Sequence, residues 1–126
     1  MNQLTHKVLV VDDDQMNGKI LSFLCGLYGF EVIQAFNGLE AFDLSKSELF
    51  DVILMDIDMP EMDGVQANKH IKQWYNNINH RCKYIGMSAA YQLSDAYIAG
   101  AGFDEFLQKP INTSELKTHL ELFMRS

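Results

Sequence analysis

The sequence predicts an α/β fold in which five parallel strands form one doubly wound sheet. Strand-like and helix-like periodicities alternate five times along the 126 residues, which is typical of repeated strand and helix units. The third apolar run, residues 52–55, lacks polar alternation, as expected of a central strand covered by helices on both faces. Three of the runs lead into charged residues at Asp12, Asp56 and Lys109. Because parallel strands end at a common edge, these residues predict a ligand site there.

The first half of the chain contains three predicted strands and two predicted helices. The strands are expected at residues 7–11, 31–35 and 51–55. The first helix, residues 15–28, carries five large apolar side chains at spacings of three and four, which predict one buried stripe. These side chains are Met16, Ile20, Phe23, Leu24 and Leu27. Gly29 is expected to end this helix, and Asn37 to cap the second one.

The second half contains two predicted strands and three predicted helices. The strands are expected at residues 83–87 and 104–108, and the helices at residues 63–75, at residues 93–99 and after residue 112. Asn112, with Glu115 three residues later, resembles a capping pair for the last helix. Leu116, Leu120 and Phe123 of that helix are expected to face inward. No repeat or linker interrupts the pattern, so we expect a single domain, residues 1–126.

The composition favours a globular protein and argues against several other classes. The net charge is -7 and only ten Lys and Arg are present, which is unfavourable for nucleic-acid binding. No apolar run approaches the roughly 18 to 20 residues of a membrane span, and the polar N-terminus does not resemble a signal peptide. We therefore expect no membrane partner and a cytoplasmic location. Cys25 and Cys82 lack neighbouring cysteines and are expected to be free, buried thiols.

The charged residues after strands 1, 3 and 5 predict an acidic pocket. Asp12 and Asp13 follow strand 1, Asp56 follows strand 3, and Lys109 follows strand 5. Clustered carboxylates raise one another's pKa unless a cation lies among them, and their hard oxygens suit Mg2+. A phosphoryl group is the natural second ligand. The alternative role for the first two aspartates is helix capping, but Asp14 occupies the better capping position.

Four short motifs follow one another along nearly the whole chain. They are VLVVDDD at 8–14, ILMDIDMPEMDG at 53–64, GMSAA at 86–90 and FLQKP at 106–110. Together they resemble the receiver domain of two-component response regulators. The resemblance implies a flavodoxin-like, or CheY-like, (βα)5 fold with strand order 2-1-3-4-5. It also implies a signalling phosphoacceptor in a phosphorelay, which assists its own phosphorylation and dephosphorylation but is not a conventional enzyme.

The resemblance assigns roles to the residues of the acidic pocket. Asp56 would be the phosphoacceptor, whose carboxylate attacks the phosphorus of a phosphohistidine. The donor would be a sensor histidine kinase or a histidine phosphotransfer protein. Mg2+ would be held by Asp12, Asp13, Asp56 and the backbone carbonyl of Asp58. Lys109 would pair with Asp56 or with the phosphoryl oxygens, and its peptide bond to the following proline would be cis.

The same resemblance implies a conformational switch. The Ser88 hydroxyl would move to the phosphoryl group, and the Phe106 ring would turn inward into the space left behind. The alternative for Phe106 is a permanently buried strand residue. The signalling surface would comprise the fourth helix, fifth strand and fifth helix, including Tyr91, Asp95, Leu107, Gln108 and Lys117. A phosphorylation-dependent dimer is compatible with this surface, and the downstream target is not identified by the sequence.

Three further positions modify the expected pattern. Gly64 ends the family's MPxMDG loop, where it would allow a close backbone approach or a positive φ. Asp58 is acidic where many receivers carry another residue; we expect it to strengthen metal attraction and to slow hydrolysis of the phosphoryl group only slightly. Asn68 replaces a residue that is usually apolar, so its packing is not predicted.

Other functions share parts of the pattern. A haloacid-dehalogenase-like phosphatase would use a DxD motif such as residues 56–58, but it gives the preceding acidic pair no role. A flavin-binding flavodoxin shares the fold, but the acidic run at residues 12–14 would repel the flavin phosphate. A phosphate-independent interaction module would not need the complete acidic and lysine set. Within the receiver family, the sequence leaves open a stand-alone regulator and the receiver of a hybrid histidine kinase.

Overall fold

The structure is a computed structural model that describes residues 6–59, 64–89 and 93–125, with only the backbone of residues 123–125. Strands and helices alternate throughout. In chain order they are β1 (Lys7–Val11), α1 (Gln15–Leu27), β2 (Glu31–Ala35), α2 (Gly38–Ser47), β3 (Val52–Asp56), α3 (Gly64–Asn77), β4 (Lys83–Ser88), α4 (Asp95–Gly100), β5 (Glu105–Gln108) and α5 (Thr113–Arg125). All four strand pairings are parallel, and the order is β2-β1-β3-β4-β5. The predicted fold class and strand order are therefore confirmed.

The core lies on both faces of the sheet, and β3 is completely buried. Alternate strand residues point to opposite faces because the side-chain period of a strand is two. One face packs mainly against α2 and α3 and includes Leu9, Ile53, Met55, Ile71 and Tyr75. The other packs mainly against α1 and α5 and includes Val10, Leu54, Leu21, Cys25, Leu116 and Leu120. These two layers confirm that the third strand is central, as its sequence predicted.

Two strands begin one residue later than predicted, and both displaced residues are aspartates. The Asp51 carboxylate accepts a hydrogen bond from the Lys7 N–H at 2.8 Å, next to the start of β3. Similarly, Asp104 accepts one from the Tyr84 N–H at 2.8 Å, next to the start of β5. Each aspartate thus binds the backbone of a neighbouring strand with its side chain.

The predicted buried stripe of α1 is wrong. Four of its five side chains are exposed by half or more: Met16 69%, Phe23 68%, Leu27 64% and Ile20 51%. The residues that face the sheet are Gly18, Leu21 and Cys25, with Leu24 partly buried. Both sets have helical spacing, but the set with the smaller side chains lets the helix pack closer to the sheet. A Cβ on Gly18 would lie 3.4 Å from the Gln34 side chain. We call Met16, Ile20, Phe23 and Leu27 the outer face of α1.

The predicted helix caps are present. Asp14 accepts hydrogen bonds from the N–H groups of the first turn of α1, and Asn37 accepts one from Glu40 in α2. Asn112 accepts one from the Glu115 N–H at 3.0 Å, as the capping pair predicted. The fourth helix begins two residues later than predicted, because Ser94 caps it, and ends one residue later, at Gly100. Leu116 and Leu120 are buried as expected, while the side chain of Phe123 lies outside the described residues.

The remaining features of composition also have structural counterparts. Both cysteines are free, as predicted. Cys25 is buried as expected, but Cys82 is partly exposed, so its predicted burial is confirmed only in part. Burial raises the pKa of the Cys25 thiol to about 12, so this side chain behaves as an apolar core residue. Among the described residues, no helix has the length and apolar character needed to cross a bilayer.

Candidate functional site

The carboxyl edge of the sheet brings the predicted site residues together. Asp12 directly follows β1, Asp56 is the last residue of β3, Ser88 is the last residue of β4, and Lys109 directly follows β5. Parallel pairing of β1 with β3, β3 with β4 and β4 with β5 places these ends side by side. Asp12, Asp56 and Ser88 are at most 1% exposed, whereas Asp13 is exposed. The site is therefore a partly buried pocket with one acidic group at its opening.

Three carboxylates form the acid side of this pocket. Oxygens of Asp12, Asp13 and Asp56 lie within 4.8 Å of one another. Asp12 is held by the Asp14 N–H at 2.9 Å and by the Asn17 side-chain amide at 3.0 Å. Several hard carboxylate oxygens at this separation fit a divalent cation such as Mg2+. Asn17 was not predicted, although its place in the first turn after the aspartates indicates that its amide could reach them.

Lys109 lies between two of the carboxylates. Its Nζ is 3.0 Å from Asp56 Oδ2 and 3.5 Å from Asp12 Oδ2, and its side chain is only 18% exposed. The Lys109 N–H donates to the Ser88 carbonyl at 2.7 Å, and the peptide bond to Pro110 is cis, as the family resemblance implied. The backbone hydrogen bond to Ser88 therefore holds the lysine at the edge of the sheet.

The electrostatic environment shifts the pKa of both Asp56 and Lys109. Burial raises the pKa of the Asp56 carboxyl, and the N–H of Asp58 and the ammonium of Lys109 oppose this effect without cancelling it. For Lys109, burial alone would lower the pKa, but the carboxylates of Asp56 and Asp12 outweigh burial and raise it. Lys109 is therefore a permanent cation at neutral pH. A second cation near Asp56 would stabilise the charged form of its carboxyl group further.

A second cluster of contacts lies on the opposite side of the pocket. We call Ser88 and Ala89 the donor side. The Ser88 hydroxyl donates to Asp58 Oδ2 at 2.8 Å, and the Ala89 N–H donates to the same oxygen at 3.0 Å. The Asp58 N–H in turn donates to Asp56 Oδ1 at 2.9 Å. Sequence reasoning assigned Asp58 only a backbone carbonyl and a general negative charge, so this contact of its side chain was missed.

Gly64, the first residue of α3, lies directly against the backbone of Asp56 and Ile57. A Cβ on Gly64 would collide with the backbone carbonyl of Asp56 and lie 2.6 Å from the Ile57 Cα. The close-approach alternative predicted for this glycine is therefore confirmed. The other loop residues of the MPxMDG motif, 60–63, lie outside the described residues. Asn68, whose packing was not predicted, is fully buried and donates to the Ala101 carbonyl at 3.2 Å.

The predicted switch and signalling surface are placed only in part. Phe106, on β5, is partly exposed, so it is not the fully buried strand residue of the alternative prediction. Leu107 is 1% exposed and packs in the core, so its predicted place on the signalling surface is wrong; side chains alternate along β5, and this one points towards α5. Asp95, Gln108 and Lys117 are exposed as that surface requires, and Tyr91 lies outside the described residues.

Fold and site together define a doubly wound α/β domain with an acidic pocket and a paired lysine at its carboxyl edge. Residues 8–121 match the response regulator receiver domain family. The chain belongs to this family, and it is a receiver domain of two-component signalling.

Relatives of two kinds share this domain. Hybrid signal transduction histidine kinase F of Dictyostelium discoideum is 33% identical over 123 residues, which are 92% of this chain and 11% of the kinase. The chain thus spans about a tenth of that relative's length. The polar-differentiation response regulator DivK of Brucella anthropi is 32% identical over 105 residues, covering 83% of this chain and 85% of DivK.

A solved structure gives the same result for the fold. The receiver domain of sensor histidine kinase PA1611 from Pseudomonas aeruginosa has a TM-score of 0.84 and 26% identity, covering 98% of this chain and 100% of that one. That structure has a magnesium ion coordinated in its active-site cleft. The acid side of the present chain has a donor set suited to a divalent cation of this kind.

Proposed function

We propose that Asp56 is the phosphoacceptor of this receiver and that it accepts a phosphoryl group from a phosphohistidine. The observation that carries the proposal is the position of its carboxylate. It is 1% exposed at the end of the central strand, lies among two further carboxylates, and is 3.0 Å from the Lys109 ammonium. A nucleophilic carboxylate needs charge neutralisation on both sides when it meets a phosphoryl group, and this pocket offers both.

The transfer would replace a P–N bond by a P–O bond. A carboxylate oxygen of Asp56 attacks the phosphorus, while the bond to the histidine nitrogen breaks and its electron pair returns to the imidazole. Lys109 balances the charge that develops on the phosphoryl oxygens. Asp12, Asp13, Asp56 and the Asp58 carbonyl would hold Mg2+, which when bound neutralises charge on the transferring group. The same groups would serve hydrolysis of the aspartyl phosphate, in which water attacks the phosphorus and the P–O bond to Asp56 breaks, releasing inorganic phosphate and the free carboxylate. The domain would thus assist its own phosphorylation and dephosphorylation.

The phosphorylated site would act through Ser88 and Phe106. Ser88 ends β4 beside the acceptor, and a phosphoryl group would offer its hydroxyl new acceptor oxygens. Phe106 is partly exposed, and its ring would turn inward into the space left by the Ser88 hydroxyl. The change would reach the surface formed by α4, β5 and α5, where Asp95, Gln108 and Lys117 are exposed. A downstream protein, or a second copy of the chain, would bind there.

The phosphodonor would be a sensor histidine kinase or a histidine phosphotransfer protein. The relatives among the hybrid histidine kinases support this kind of partner. The outer face of α1 supports a protein donor, because its large apolar side chains begin directly after the acidic loop of the pocket. A donor with an apolar helical surface could bury this face while its histidine reaches Asp56. We further propose that residues 1–126 act as one receiver unit in the cytoplasm, without a nucleic-acid partner.

Intact mass spectrometry tests the acceptor. Wild type, Asp56→Asn and Asp51→Asn would be incubated with Mg2+ and acetyl phosphate. A gain of about 80 Da, the mass of one phosphoryl group, is expected in wild type and in Asp51→Asn but not in Asp56→Asn. Asp51 is a matched control because it is an aspartate directly before β3, at the opposite end of the strand from Asp56. An equal gain in Asp56→Asn would place the acceptor elsewhere. No gain in any variant, with Mg2+ binding demonstrated, would favour a phosphate-independent interaction module.

A further inference from the structure

The Asp58 side chain accepts hydrogen bonds from two donors at the carboxyl end of β4, next to the pocket. One of its oxygens, Oδ2, accepts from the Ser88 hydroxyl at 2.8 Å and from the Ala89 N–H at 3.0 Å. Both donors belong to the donor side, next to the proposed acceptor. A carboxylate oxygen that accepts two converging donors has the same acceptor chemistry as an oxygen of a phosphoryl group.

The backbone of Asp58 keeps this side chain close to the acceptor. Its N–H donates to Asp56 Oδ1 at 2.9 Å, so the residue bridges the ends of β3 and β4. Asp58 is nevertheless exposed. Because an exposed carboxylate can be hydrated when it leaves its partners, displacement costs little desolvation energy. The contact is therefore ordered but reversible.

We propose that Asp58 is an internal competitor of the phosphoryl group for the donor side. The inference rests on the proposed function of Asp56. A hydroxyl has one proton to donate, so Ser88 cannot donate fully to Asp58 and to a phosphoryl oxygen at once. A phosphorylated Asp56 carries between one and two negative charges, on phosphoryl oxygens, in place of the single charge of its free carboxylate, and this larger charge repels the Asp58 carboxylate. Phosphorylation must therefore exchange one anion for another at Ser88 and Ala89.

This exchange reduces the free energy that the phosphoryl group gains by binding Ser88 and Ala89. In a pocket with free donors, the phosphoryl group would gain both hydrogen bonds outright. Here it gains only the difference between its own bonds and those that Asp58 already makes. Asp58 thus holds Ser88 in an anion-bound arrangement before phosphorylation, and it lowers the affinity of the pocket for a phosphoryl group.

Beryllofluoride binding tests the competition. It mimics a phosphoryl group on a carboxylate, and its affinity would be measured at saturating Mg2+ with the Mg2+ affinity of each variant determined separately. Asp58→Ala should bind beryllofluoride about tenfold more tightly than wild type, because a hydrogen bond to a charged group contributes roughly this factor or more. Asp58→Asn, which retains an acceptor oxygen without the charge, should fall between them. Asp43→Ala is the control, since it removes an exposed carboxylate on α2.

A double-mutant cycle distinguishes competition from a general charge effect. Ser88→Ala should change the beryllofluoride affinity of wild type by less than about threefold, but it should remove most of the gain in the Asp58→Ala background. Additive effects of the two substitutions would overturn the proposal. An equal gain in Asp43→Ala would also overturn it, because net charge alone would then explain the result.

The contact itself has a spectroscopic signature that needs neither metal nor phosphate. In the metal-free protein, the Ala89 amide proton should move upfield in Asp58→Ala and remain unchanged in Asp43→Ala. An unchanged Ala89 signal in Asp58→Ala would overturn the proposal. If wild type fails to bind beryllofluoride at saturating Mg2+, the proposed function of Asp56 fails and the competition fails with it. Binding in wild type without the gain in Asp58→Ala overturns the competition alone.

Discussion

The acid side and the donor side of the pocket differ in how their groups are satisfied. On the acid side, Asp12 is buried and receives hydrogen bonds from Asp14 and Asn17, yet three carboxylates still lie within 4.8 Å. On the donor side, the serine hydroxyl and the following N–H are both paired with one exposed carboxylate. The acid side therefore has unbalanced negative charge, and the donor side has its donors occupied.

This difference separates two tasks within one small site. The unbalanced acid side gains stability from any cation of the right size, so it favours binding. The occupied donor side gains little from an added anion, so it favours an exchange of partners. Lys109 connects the two sides. Its ammonium is within 3.5 Å of the Asp12 and Asp56 carboxylates, and its backbone N–H donates to the Ser88 carbonyl. Substitutions on the two sides should therefore have different consequences.

The largest effect is expected from removing the connecting cation. Lys109→Met should lower the free energy of unfolding of the metal-free protein by about 3 kcal/mol, because two buried carboxylates lose their counter-charge. Urea denaturation at neutral pH would measure this loss. Lys83→Met is the control, since it removes a lysine whose side chain is equally exposed but whose contact with Glu105 is 3.9 Å long. Equal losses in the two variants would show that Lys109 does not balance the acid side.

The next effect concerns metal binding on the acid side alone. Asp13→Asn should weaken Mg2+ binding by about a hundredfold, because loss of a ligand exceeds the effect of losing a supporting group. Isothermal titration calorimetry would measure it. Asp14→Asn is the matched control: it removes the same charge one residue later, outside the carboxylate cluster, and asparagine still caps a helix. A similar loss in the control would reduce the acid side to a general electrostatic attraction.

A smaller effect is expected where the acid side is supported by Asn17. Asn17→Ala should destabilise the protein by about 2 kcal/mol, because its amide donates to the buried Asp12 carboxylate at 3.0 Å. Thermal and urea unfolding in the absence of Mg2+ would detect this change. Lys19→Ala, an exposed substitution on the same helix, should stay within about 0.5 kcal/mol. If both variants are equally stable, the acid side does not depend on this amide.

The smallest effect on stability is expected on the outer face of α1. Phe23→Ser should change the free energy of unfolding by no more than about 0.5 kcal/mol, because the ring is 68% exposed. Phosphorylation by acetyl phosphate should be unchanged, while transfer from a phosphohistidine protein should slow severalfold. Leu21→Ser on the buried face should instead unfold more easily. A Phe23→Ser variant that accepts phosphoryl groups normally from its protein donor would remove this face from the proposed docking surface.

The sequence predicted the fold well because its signals were local. The strand runs, the caps at Asp14, Asn37 and Asn112, and the charged strand ends are each determined by a few neighbouring residues. The positions of Asp56 and Lys109 in one pocket follow from parallel topology, which brings the strand ends together. Site residues that extend a strand were therefore predictable.

The errors arose where packing between elements decided the outcome. The prediction placed the largest apolar residues of α1 on its buried side, whereas close contact with the sheet favours the small residues Gly18 and Cys25. The bond between Asp58 and Ser88 joins two loops whose separation is not determined by sequence spacing. Leu107 was assigned to the surface by resemblance, although alternation along a short strand turned it inward. Such features depend on the tertiary arrangement rather than on any local pattern.

The outer face of α1 also has a consequence for the colloidal behaviour of the protein. Four large apolar side chains lie in contact with water, and what separates one molecule from another at neutral pH is the net charge of -7. This repulsion decreases as the pH approaches the isoelectric point near 4.9. Self-association should then begin at this helix, because a low net charge leaves attraction between apolar patches unopposed. The same side chains that suit a partner thus define the conditions in which the protein stays monodisperse.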